Sequence, residues 1–223
     1  MSMAQSDPLH TNPSETHLES QGQLRQPERL IVGISGASGC PLALRLLQTL
    51  ADLPQIETHV IMTRGARLTA RYEVGDQGAE ELMSLADAYH ELDALGDSIA
   101  SGTFKTLGMV VIPCSMKTVA GIATGYSDNL LLRAADVTIK EKRPLVLVTR
   151  EAPLSPIHLN NMMQLAAIPS ITLMPPMMTY YIQPETIADM EAHLVAKVLE
   201  RFGIELSSMK RWGEQGLERG AAQ

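Results

Sequence analysis

The feature that most constrains the fold of this chain is its regular alternation of short apolar runs with longer segments of helical character. Five short, mostly apolar runs predict buried strands, at residues 30–34, 59–62, 109–112, 145–148 and 171–174. Segments with helical spacing or composition lie at 41–52, 67–72, 79–89, 129–141, 158–167 and 184–202. Such alternation implies parallel strands joined by right-handed crossovers. It predicts an α/β fold: one domain with a Rossmann-like or flavodoxin-like, doubly wound parallel sheet.

The two ends of the chain lack this pattern. Residues 1–28 are polar, carry no apolar period and bury too little surface to offset their ordering entropy, which predicts a disordered N-terminal arm. We expect the folded domain at 29–206 and a C-terminal tail at 207–223. A length of 223 residues suits one domain with such tails.

Composition and missing motifs exclude several classes of function. A formal net charge of −7 and an aromatic content of 4% argue against nucleic-acid binding, which needs a basic face or stacking platforms. No apolar run reaches the ~18–20 residues that span a bilayer, and the first residues do not resemble a signal peptide, so no membrane partner is expected. The two cysteines, Cys40 and Cys114, indicate a reducing compartment, the cytoplasm. No H-E-x-x-H or paired C-x-x-C pattern is present, so no metal is expected.

The turn after the first predicted strand is rich in glycine. It reads Gly33-Ile34-Ser35-Gly36-Ala37-Ser38-Gly39, a G-x-x-G-x-x-G pattern that is neither the dinucleotide fingerprint nor a P-loop. Glycines permit close backbone approach, and the following helix offers N–H groups to an anion, with Ser38 as an additional hydroxyl. Phosphate binding and a plain strand–helix turn both fit this pattern.

Polar residues also follow the other predicted strands, at the edge where ligands bind in open α/β sheets. Thr63 follows the second strand, and the Ser115–Thr118 segment, which contains a lysine, follows the third. The neighbouring Cys114 is interpreted as a small buried thiol rather than a nucleophile. Arg150 and Glu151 follow the fourth strand, either as a structural ion pair or as a phosphate-binding cation beside a proton-transferring carboxylate.

The chain contains several further short motifs, some of them at these strand ends and others elsewhere. They are Ser101-Gly102-Thr103-Phe104, Pro113-Cys114-Ser115-Met116-Lys117-Thr118, Arg133-Ala134-Ala135-Asp136, Lys140-Glu141, Arg150-Glu151-Ala152-Pro153, Ile157-His158-Leu159, Asn161-Met162, Pro175-Pro176-Met177, Tyr181, Gln183-Pro184 and Arg211-Trp212. In this order, together with the glycine-rich turn, they resemble the UbiX-type flavin prenyltransferases from about Arg29 to Gln215. The resemblance implies a flavodoxin-like fold, a homododecamer and a metal-independent reaction.

The resemblance also implies an activity. Members of this family join a dimethylallyl group, taken from dimethylallyl phosphate, to N5 and C6 of reduced FMN. The product, prenylated FMN, is the cofactor of UbiD-type decarboxylases. This chain is accordingly expected to be a flavin prenyltransferase that binds FMN and supplies such a decarboxylase.

Site residues follow from matching positions in the family. The residues expected to contact FMN are Gly36, Ala37, Ser38, Thr63, Ser115, Met116, Lys117, Thr118 and Arg150. The residues expected to hold the prenyl phosphate are Ser101, Arg133, Lys140, Tyr181 and Lys197. The residues expected to be catalytic are Glu151, Glu73 and Ser38, with Glu151 as the proton shuttle.

Two positions differ from the family pattern. Lys197 stands where many relatives carry arginine, which keeps the charge but loses the bidentate fork. The segment Met178-Thr179-Tyr180 replaces a more usual Pro-Ala-Phe or Pro-Gly-Phe before Tyr181.

Three other functions compete with prenyl transfer. A flavodoxin-like redox carrier would bind FMN but would need no prenyl-phosphate residues. A flavin-dependent decarboxylase of cysteine-derived peptides would use a histidine near the first helix, and residues 33–57 contain none. A non-catalytic partner subunit of a decarboxylase differs from the enzyme only through the retained Glu73 and Glu151.

Overall fold

Six short strands, all parallel, form one sheet in the computed structural model, which describes residues 27–207. The strands are β1 (Glu28–Ile34), β2 (Ile56–Met62), β3 (Ala88–His90), β4 (Gly108–Cys114), β5 (Leu145–Thr149) and β6 (Ile171–Leu173). Their spatial order is β3-β2-β1-β4-β5-β6. The predicted single-domain, doubly wound parallel sheet is therefore confirmed.

Helices cover both faces of this sheet. They are α1 (Cys40–Ala51), α2 (Arg64–Glu73), α3 (Gly78–Ser84), α4 (Met116–Thr124), α5 (Leu130–Lys140), α6 (Pro156–Ala166) and α7 (Ile187–Glu200). Helices α1, α2, α3 and α7 pack into one apolar layer, and α4, α5 and α6 into the other. Of the helices within residues 27–207, none is long and apolar enough to cross a bilayer.

β1 shows how the sheet separates the two layers. Leu30, Val32 and Ile34 belong to the layer of α1 and α7, whereas Ile31 belongs to the layer of α5. This two-residue alternation follows from the pleat of a strand. Because both faces are covered, the strand reads in the sequence as a continuous apolar run.

One secondary-structure prediction was wrong, and one helix, α4, was not among the predicted segments. The helix predicted over 79–89 ends at Ser84, and residues 88–90 form the edge strand β3, paired with His59–Ile61 of β2. A three-residue strand carries too little pattern to be recognised, and its pairing with β2 is a tertiary effect. Without β3 the five remaining strands have the flavodoxin order 2-1-3-4-5, and β3 extends it to the 3-2-1-4-5-6 order.

Other boundaries shift by a few residues. β4 does not end at residue 112 as predicted, but continues through Pro113 to Cys114 with a register shift against β5. α7 begins at Ile187 rather than at residue 184, because Thr186 caps it in a reciprocal arrangement with Asp189. β1 already includes Glu28, the last residue of the predicted arm. Residues 1–26 of that arm and residues 208–223, with the Arg211-Trp212 motif, lie outside the described residues.

Candidate active site

The helices that follow β1 and β4 pack on opposite faces of the sheet, so the winding direction changes between these two adjacent strands. In an open α/β sheet, ligands bind at such a point. Ser35 joins the two strand ends there. Its fully buried Oγ donates to the Pro113 carbonyl at 2.9 Å and accepts the Ser115 N–H at 2.7 Å. The two loops that follow β1 and β4 are therefore held together.

A cleft of about 480 Å³ opens at this edge. That volume suits a cofactor-sized ligand. At the bottom of this cleft the backbones of Gly36 and Gly65 are in close contact. A β-carbon on Gly36 would lie 3.0 Å from Gly65. The residues that line the cleft are Gly36, Thr63, Arg64, Gly65, Leu92, Asp93, Ser115, Lys117, Thr118, Asp128, Asn129, Leu131 and Leu132.

Three helices begin at the wall of this cleft. Thr63 caps α2 by accepting the Ala66 N–H at 3.1 Å, and Asn129 caps α5 by accepting the Leu132 N–H at 3.1 Å. Ser115 caps α4. Helix N-termini attract anions through their N–H groups and dipoles. Lys117, which is exposed in the first turn of α4, adds a full positive charge, so the cleft can hold a phosphate.

The structure brings Thr63 and the residues Ser115, Lys117 and Thr118 together, as the sequence led us to expect. Sequence reasoning missed Asn129, which lines the same cleft. Its signal was readable, because the pair Asp128-Asn129 directly precedes an apolar run and is typical of a helix start.

Sequence reasoning also missed Arg64, Leu92 and Asp93. Arg64 and Asp93 form an exposed ion pair at 3.1 Å. Leu92 and Asp93 follow β3, the strand that the sequence did not reveal. No sequence signal located Leu92 and Asp93, because their placement depends on the pairing of β3 with β2, whereas Arg64 directly follows Thr63 at the end of β2.

Glu73 occupies the N-terminus of α1. One of its carboxylate oxygens accepts the N–H groups of Gly39 and Cys40, both at 2.8 Å. Burial alone would raise the pKa of Glu73, but a hydrogen bond from Ser38 and those two N–H groups hold it below the ordinary value, with help from Arg150. Glu73 is thus an ionised carboxylate that orients the Ser38 side chain.

Arg150 and Glu151 lie at the end of β5, beside this cluster. The Arg150 N–H donates to the Cys114 carbonyl at 3.1 Å, which ties the ends of β5 and β4. Arg150 Nη1 is 4.0 Å from Glu151 Oε1, and about a third of the Glu151 side chain is exposed (36%). Of the three residues expected to be catalytic, Glu73 accepts a hydrogen bond from Ser38 and feels the charge of Arg150, and Glu151 is linked to them through its contact with Arg150.

The residues predicted to hold the prenyl phosphate do not form one cluster in this chain. α5 runs antiparallel to the strands for 11 residues, so its last residue, Lys140, lies about 16 Å from the rim of the cleft. Lys140 pairs with Glu141 at 3.0 Å, and the Glu141 carboxylate packs against Gly102, next to Ser101. Arg133 projects from the same helix and pairs with Asp136 at 2.8 Å.

Tyr181 and Lys197, the other two predicted phosphate residues, belong to the α7 layer on the opposite face of the sheet. A buried histidine, His193, stands between them. Its ring meets the Tyr181 ring edge-on, with centroids 5.8 Å apart and Nε2 3.5 Å from the hydroxyl. Burial and the charge of Lys197, one turn further along α7, lower the pKa of His193 and keep the ring neutral.

Neither cysteine is available as a nucleophile. Both thiols are fully buried. Burial raises the pKa of Cys40 to about 12 and also raises that of Cys114. The interpretation of Cys114 as a buried thiol is confirmed.

Comparison with known proteins gives the general class first. The family model described as Flavoprotein matches residues 18–203, which is most of the chain. The fold and the phosphate-binding character of the cleft agree with this class. The particular family follows from individual relatives.

Flavin prenyltransferase UbiX of Escherichia coli (strain K12) is 48% identical over 187 residues, which are 83% of this chain and 98% of that protein. The chain therefore belongs to the UbiX-type flavin prenyltransferases. A dodecameric FMN-dependent UbiX-like decarboxylase from Escherichia coli O157:H7 has a TM-score of 0.80 at 48% identity, covering 84% of this chain and 100% of that one. AnUbiX (PadA1), solved in complex with FMN and dimethylallyl pyrophosphate, has a TM-score of 0.81 at 37% identity, covering 86% and 100%.

Proposed function

We propose that this enzyme joins the dimethylallyl group of dimethylallyl phosphate to N5 and C6 of reduced FMN and releases prenylated FMN and phosphate. The allylic carbon–oxygen bond of the donor breaks, and a carbon–nitrogen bond to N5 forms as N5 gives up its proton. The double bond of the attached group then takes up a proton, and the resulting tertiary cation forms a carbon–carbon bond to C6, which gives up its own proton. Reduced FMN supplies the electron-rich N5 and C6. The relatives named above support this assignment, and the observation that carries it is the joint presence of an anion-binding cleft and the Ser38–Glu73–Arg150–Glu151 cluster at one sheet edge.

The cleft is proposed to hold FMN, with its phosphate near Lys117. The hydroxyls of Thr63, Ser115 and Thr118 and the N-termini of α2, α4 and α5 surround that position. The close approach of Gly36 and Gly65 leaves a flat backbone surface on which a ring system fits.

The N-terminus of α1 is a poorer place for the phosphate than the sequence suggested. The N–H groups of Gly39 and Cys40 already bind the Glu73 carboxylate, which would repel a second anion. We therefore assign Ser38 to the reacting end of the site, where Glu73 fixes the direction of its hydroxyl. Ala37, buried beside it, and Met116, buried at the start of α4, form the packed base of the site.

Glu151 is proposed to move the proton that leaves C6. Its carboxylate is partly exposed and accepts the N–H of its own neighbour, Ala152, at 3.1 Å. Glu73, by contrast, is held ionised by several donors and is suited to orienting rather than exchanging protons. Arg150 stabilises negative charge that develops on the departing phosphate.

The donor phosphate is proposed to bind between copies of the chain. The residues predicted to hold it lie on opposite faces of the sheet: Arg133 and Lys140 on α5, Lys197 on α7. One protomer cannot bring them together, whereas a second copy placed against the cleft can supply the α5 set. The dodecameric assembly of the relative from Escherichia coli O157:H7 supports this oligomer. We propose a dodecamer here as well.

The product is proposed to pass to a UbiD-type decarboxylase in the cytoplasm. The two free cysteines, Cys40 and Cys114, are in keeping with a reducing compartment.

A direct assay tests the proposal. The purified protein is incubated without oxygen with reduced FMN and dimethylallyl phosphate, and the released flavin is analysed by mass spectrometry. A flavin heavier than FMN by one isoprene unit is expected, and dimethylallyl diphosphate in a parallel reaction identifies the preferred donor. If the protein binds FMN but returns it unchanged with both donors, prenyl transfer is wrong and the FMN-binding redox or partner function is favoured.

A further inference from the structure

A short turn before β4, residues 101–106, carries Ser101, one of the residues proposed to hold the donor phosphate. Ser101 Oγ accepts the Thr103 N–H at 3.4 Å and lies 2.9 Å from the Thr103 hydroxyl. Both residues are exposed. Neighbouring hydroxyls of this kind can bind the oxygens of a phosphate, and they bind best when their backbone is already held in one conformation.

One arginine, Arg143, joins the 101–106 turn to the end of α5. Its Nη2 donates to the Gly102 carbonyl at 2.6 Å. Its Nη1 donates to the Phe104 carbonyl at 2.8 Å and to Thr106 Oγ1 at 3.3 Å. A guanidinium is planar and presents its donors in a rigid fork. These three contacts therefore fix both the position and the orientation of the turn.

The backbone at the end of α5 directs Arg143 towards this turn. Lys142, which follows the C-cap Glu141, has a left-handed φ of 56°. The Lys142 N–H donates to the Ile139 carbonyl at 2.9 Å, and the Arg143 N–H donates to the Thr138 carbonyl at 3.0 Å, which is a Schellman ending. Glycine is the usual residue at the left-handed position, because a β-carbon is disfavoured there. The ending reverses the chain so that the Arg143 side chain reaches residues 102–106.

The carboxylate of Glu141 brings Lys140 to the same turn. Lys140 Nζ lies 3.0 Å from Glu141 Oε1, and that oxygen packs so closely on Gly102 that a β-carbon there would collide with it. The hydrogen bond from Lys140 lowers the pKa of Glu141, and the charge of Arg143 acts in the same direction. Glu141 and Arg143 thus hold a hydroxyl, that of Ser101, and the Lys140 ammonium on one surface.

We propose that Arg143 is a positioning residue for the dimethylallyl donor: its fork holds the turn that carries Ser101 beside Lys140, so that these two side chains bind one phosphate group. This role rests on the proposed function, in which Ser101 and Lys140 bind the donor. Arg143 acts through the turn rather than on the phosphate, because both N–H groups of Nη1 and one of Nη2 already bind acceptors of the turn.

Two matched variants separate the fork of Arg143 from its charge. Arg143→Lys keeps the charge but cannot reach all three acceptors. Lys142→Asn removes a neighbouring charge and keeps the fork, since asparagine tolerates a left-handed backbone. Steady-state kinetics with reduced FMN should give Arg143→Lys a KM for dimethylallyl phosphate about 10-fold higher or more, the effect of losing one charged hydrogen bond. Its FMN dissociation constant should be unchanged, and Lys142→Asn should behave as the unmodified protein.

Three results of this comparison would overturn the proposal. An unchanged donor KM in Arg143→Lys would show that the fork has no role in donor binding. An equal rise in Lys142→Asn would show that positive charge at the end of α5 matters and the fork does not. A parallel loss of FMN affinity in Arg143→Lys would show a general structural role.

A combined variant tests whether Arg143 acts through Ser101. In the Ser101→Ala background, Arg143→Lys should raise the donor KM much less than it does alone, because the hydroxyl that it positions is then absent. A full, additive effect in the combined variant would indicate a direct contact between Arg143 and the phosphate and would contradict the positioning role.

Hydrogen–deuterium exchange of the protein without substrates gives a readout that does not depend on the proposed function. The Phe104 N–H donates to the Ser101 carbonyl at 3.2 Å, so peptides that cover residues 101–107 should exchange faster in Arg143→Lys. Peptides that cover β2 should exchange equally in both proteins. Equal exchange of residues 101–107 would contradict the anchoring of the turn. If exchange rises as expected but the unmodified protein returns FMN unchanged with both donors, it is the proposed function that fails.

Discussion

Two groups of polar residues lie at opposite ends of the sheet. The members of one group converge on a cleft, whereas the members of the other group lie on an exposed surface. At the carboxyl edge, Thr63, Ser115 and Lys117 converge on one cleft, next to the cluster of Ser38, Glu73, Arg150 and Glu151. Ser101 and Lys140 lie near the amino ends of β4 and β5, on a surface that faces outward. The first group is built by a single chain, because the carboxyl ends of parallel strands meet at one edge. In the proposed function the second group meets the first only across two copies of the chain, so one chain alone is expected to bind the flavin without completing the reaction.

The largest expected effect comes from Glu151. Glu151→Gln keeps the size and hydrogen-bonding capacity of the side chain but removes the base, so kcat should fall by ~10²–10⁴ while FMN affinity is unchanged. Glu80→Gln, an exposed carboxylate on α3, is the matched control. Turnover at the unmodified rate would show that Glu151 is only the structural partner of Arg150, and Glu73 would become the better candidate.

Mixed oligomers test whether the two groups act across copies. At a donor concentration near the KM of the unmodified protein, Glu151→Gln and Lys140→Ala chains should each show little activity. Their co-expression should restore about a quarter of the activity, because a site then takes Glu151 from one copy and Lys140 from another. Co-expression of Glu151→Gln with Arg150→Ala is the control. Both of those residues belong to the same half of the site, so no activity should return. Absence of recovery in the first mixture would contradict a shared site.

Lys117 and Lys140 test which substrate each group of residues binds. Lys117→Ala removes a cation from the cleft and should weaken FMN binding by about 10- to 100-fold, the effect of losing one charged hydrogen bond. Lys140→Ala should leave FMN affinity unchanged and raise the KM for the dimethylallyl donor. Fluorescence titration and steady-state kinetics measure the two effects. A loss of FMN affinity in Lys140→Ala would place Lys140 in the flavin cleft.

Ser35 tests how far the cleft depends on the joint between β1 and β4. Ser35→Ala leaves the Ser115 N–H and the Pro113 carbonyl without their buried partner, which should cost about 1–3 kcal/mol of stability. The unfolding temperature should fall by about 3–10 °C. Ser84→Ala, an exposed serine at the end of α3, should change it little. An equal loss in both variants would show that the joint contributes nothing specific.

The smallest expected effect is a loss of stability at acidic pH. Burial lowers the pKa of His59 and of His193 below the ordinary value of 6.5, so both are neutral in the folded protein and the unfolded chain binds more protons as pH falls. Their contribution to stability is complete above that value and is lost as pH falls below it, through the lower pKa that each ring has in the folded protein. The unfolding temperature should therefore decrease on acidification, and His193→Phe should decrease less. A steeper acid loss in His193→Phe would contradict a neutral His193.

Much of the carboxyl edge could be predicted from the sequence. Several of its residues directly follow a strong apolar run, as Thr63 follows β2 and Arg150 follows β5. Once the strands are known to be parallel, these residues must meet. Capping residues such as Ser115 also carry a local signal, because the helix start they satisfy is encoded within a few positions.

The edge strand β3 and the loop after it could not be predicted in this way. Ala88–His90 is too short for a periodic pattern, and it is a strand because His59 and Val60 of β2 pair with it. The contacts of His90 with His59 and Asp97 span 31 and 7 residues, so no local rule connects them. Glu73 likewise reads as an ordinary charge near the end of α2, and only the packing of α2 beside α1 brings it to Gly39 and Cys40.

The sequence by itself therefore determined the α/β class, the parallel sheet and the chemistry along its carboxyl edge, because these depend on periodicity and on which residues follow each strand. Only the tertiary structure decided that Glu73 occupies the start of α1, that His90 meets His59 and Asp97, and that Lys140 and Lys197 lie on opposite layers. Those features arise from contacts between residues distant in the chain, and their energies depend on burial and distance, which the order of residues does not specify.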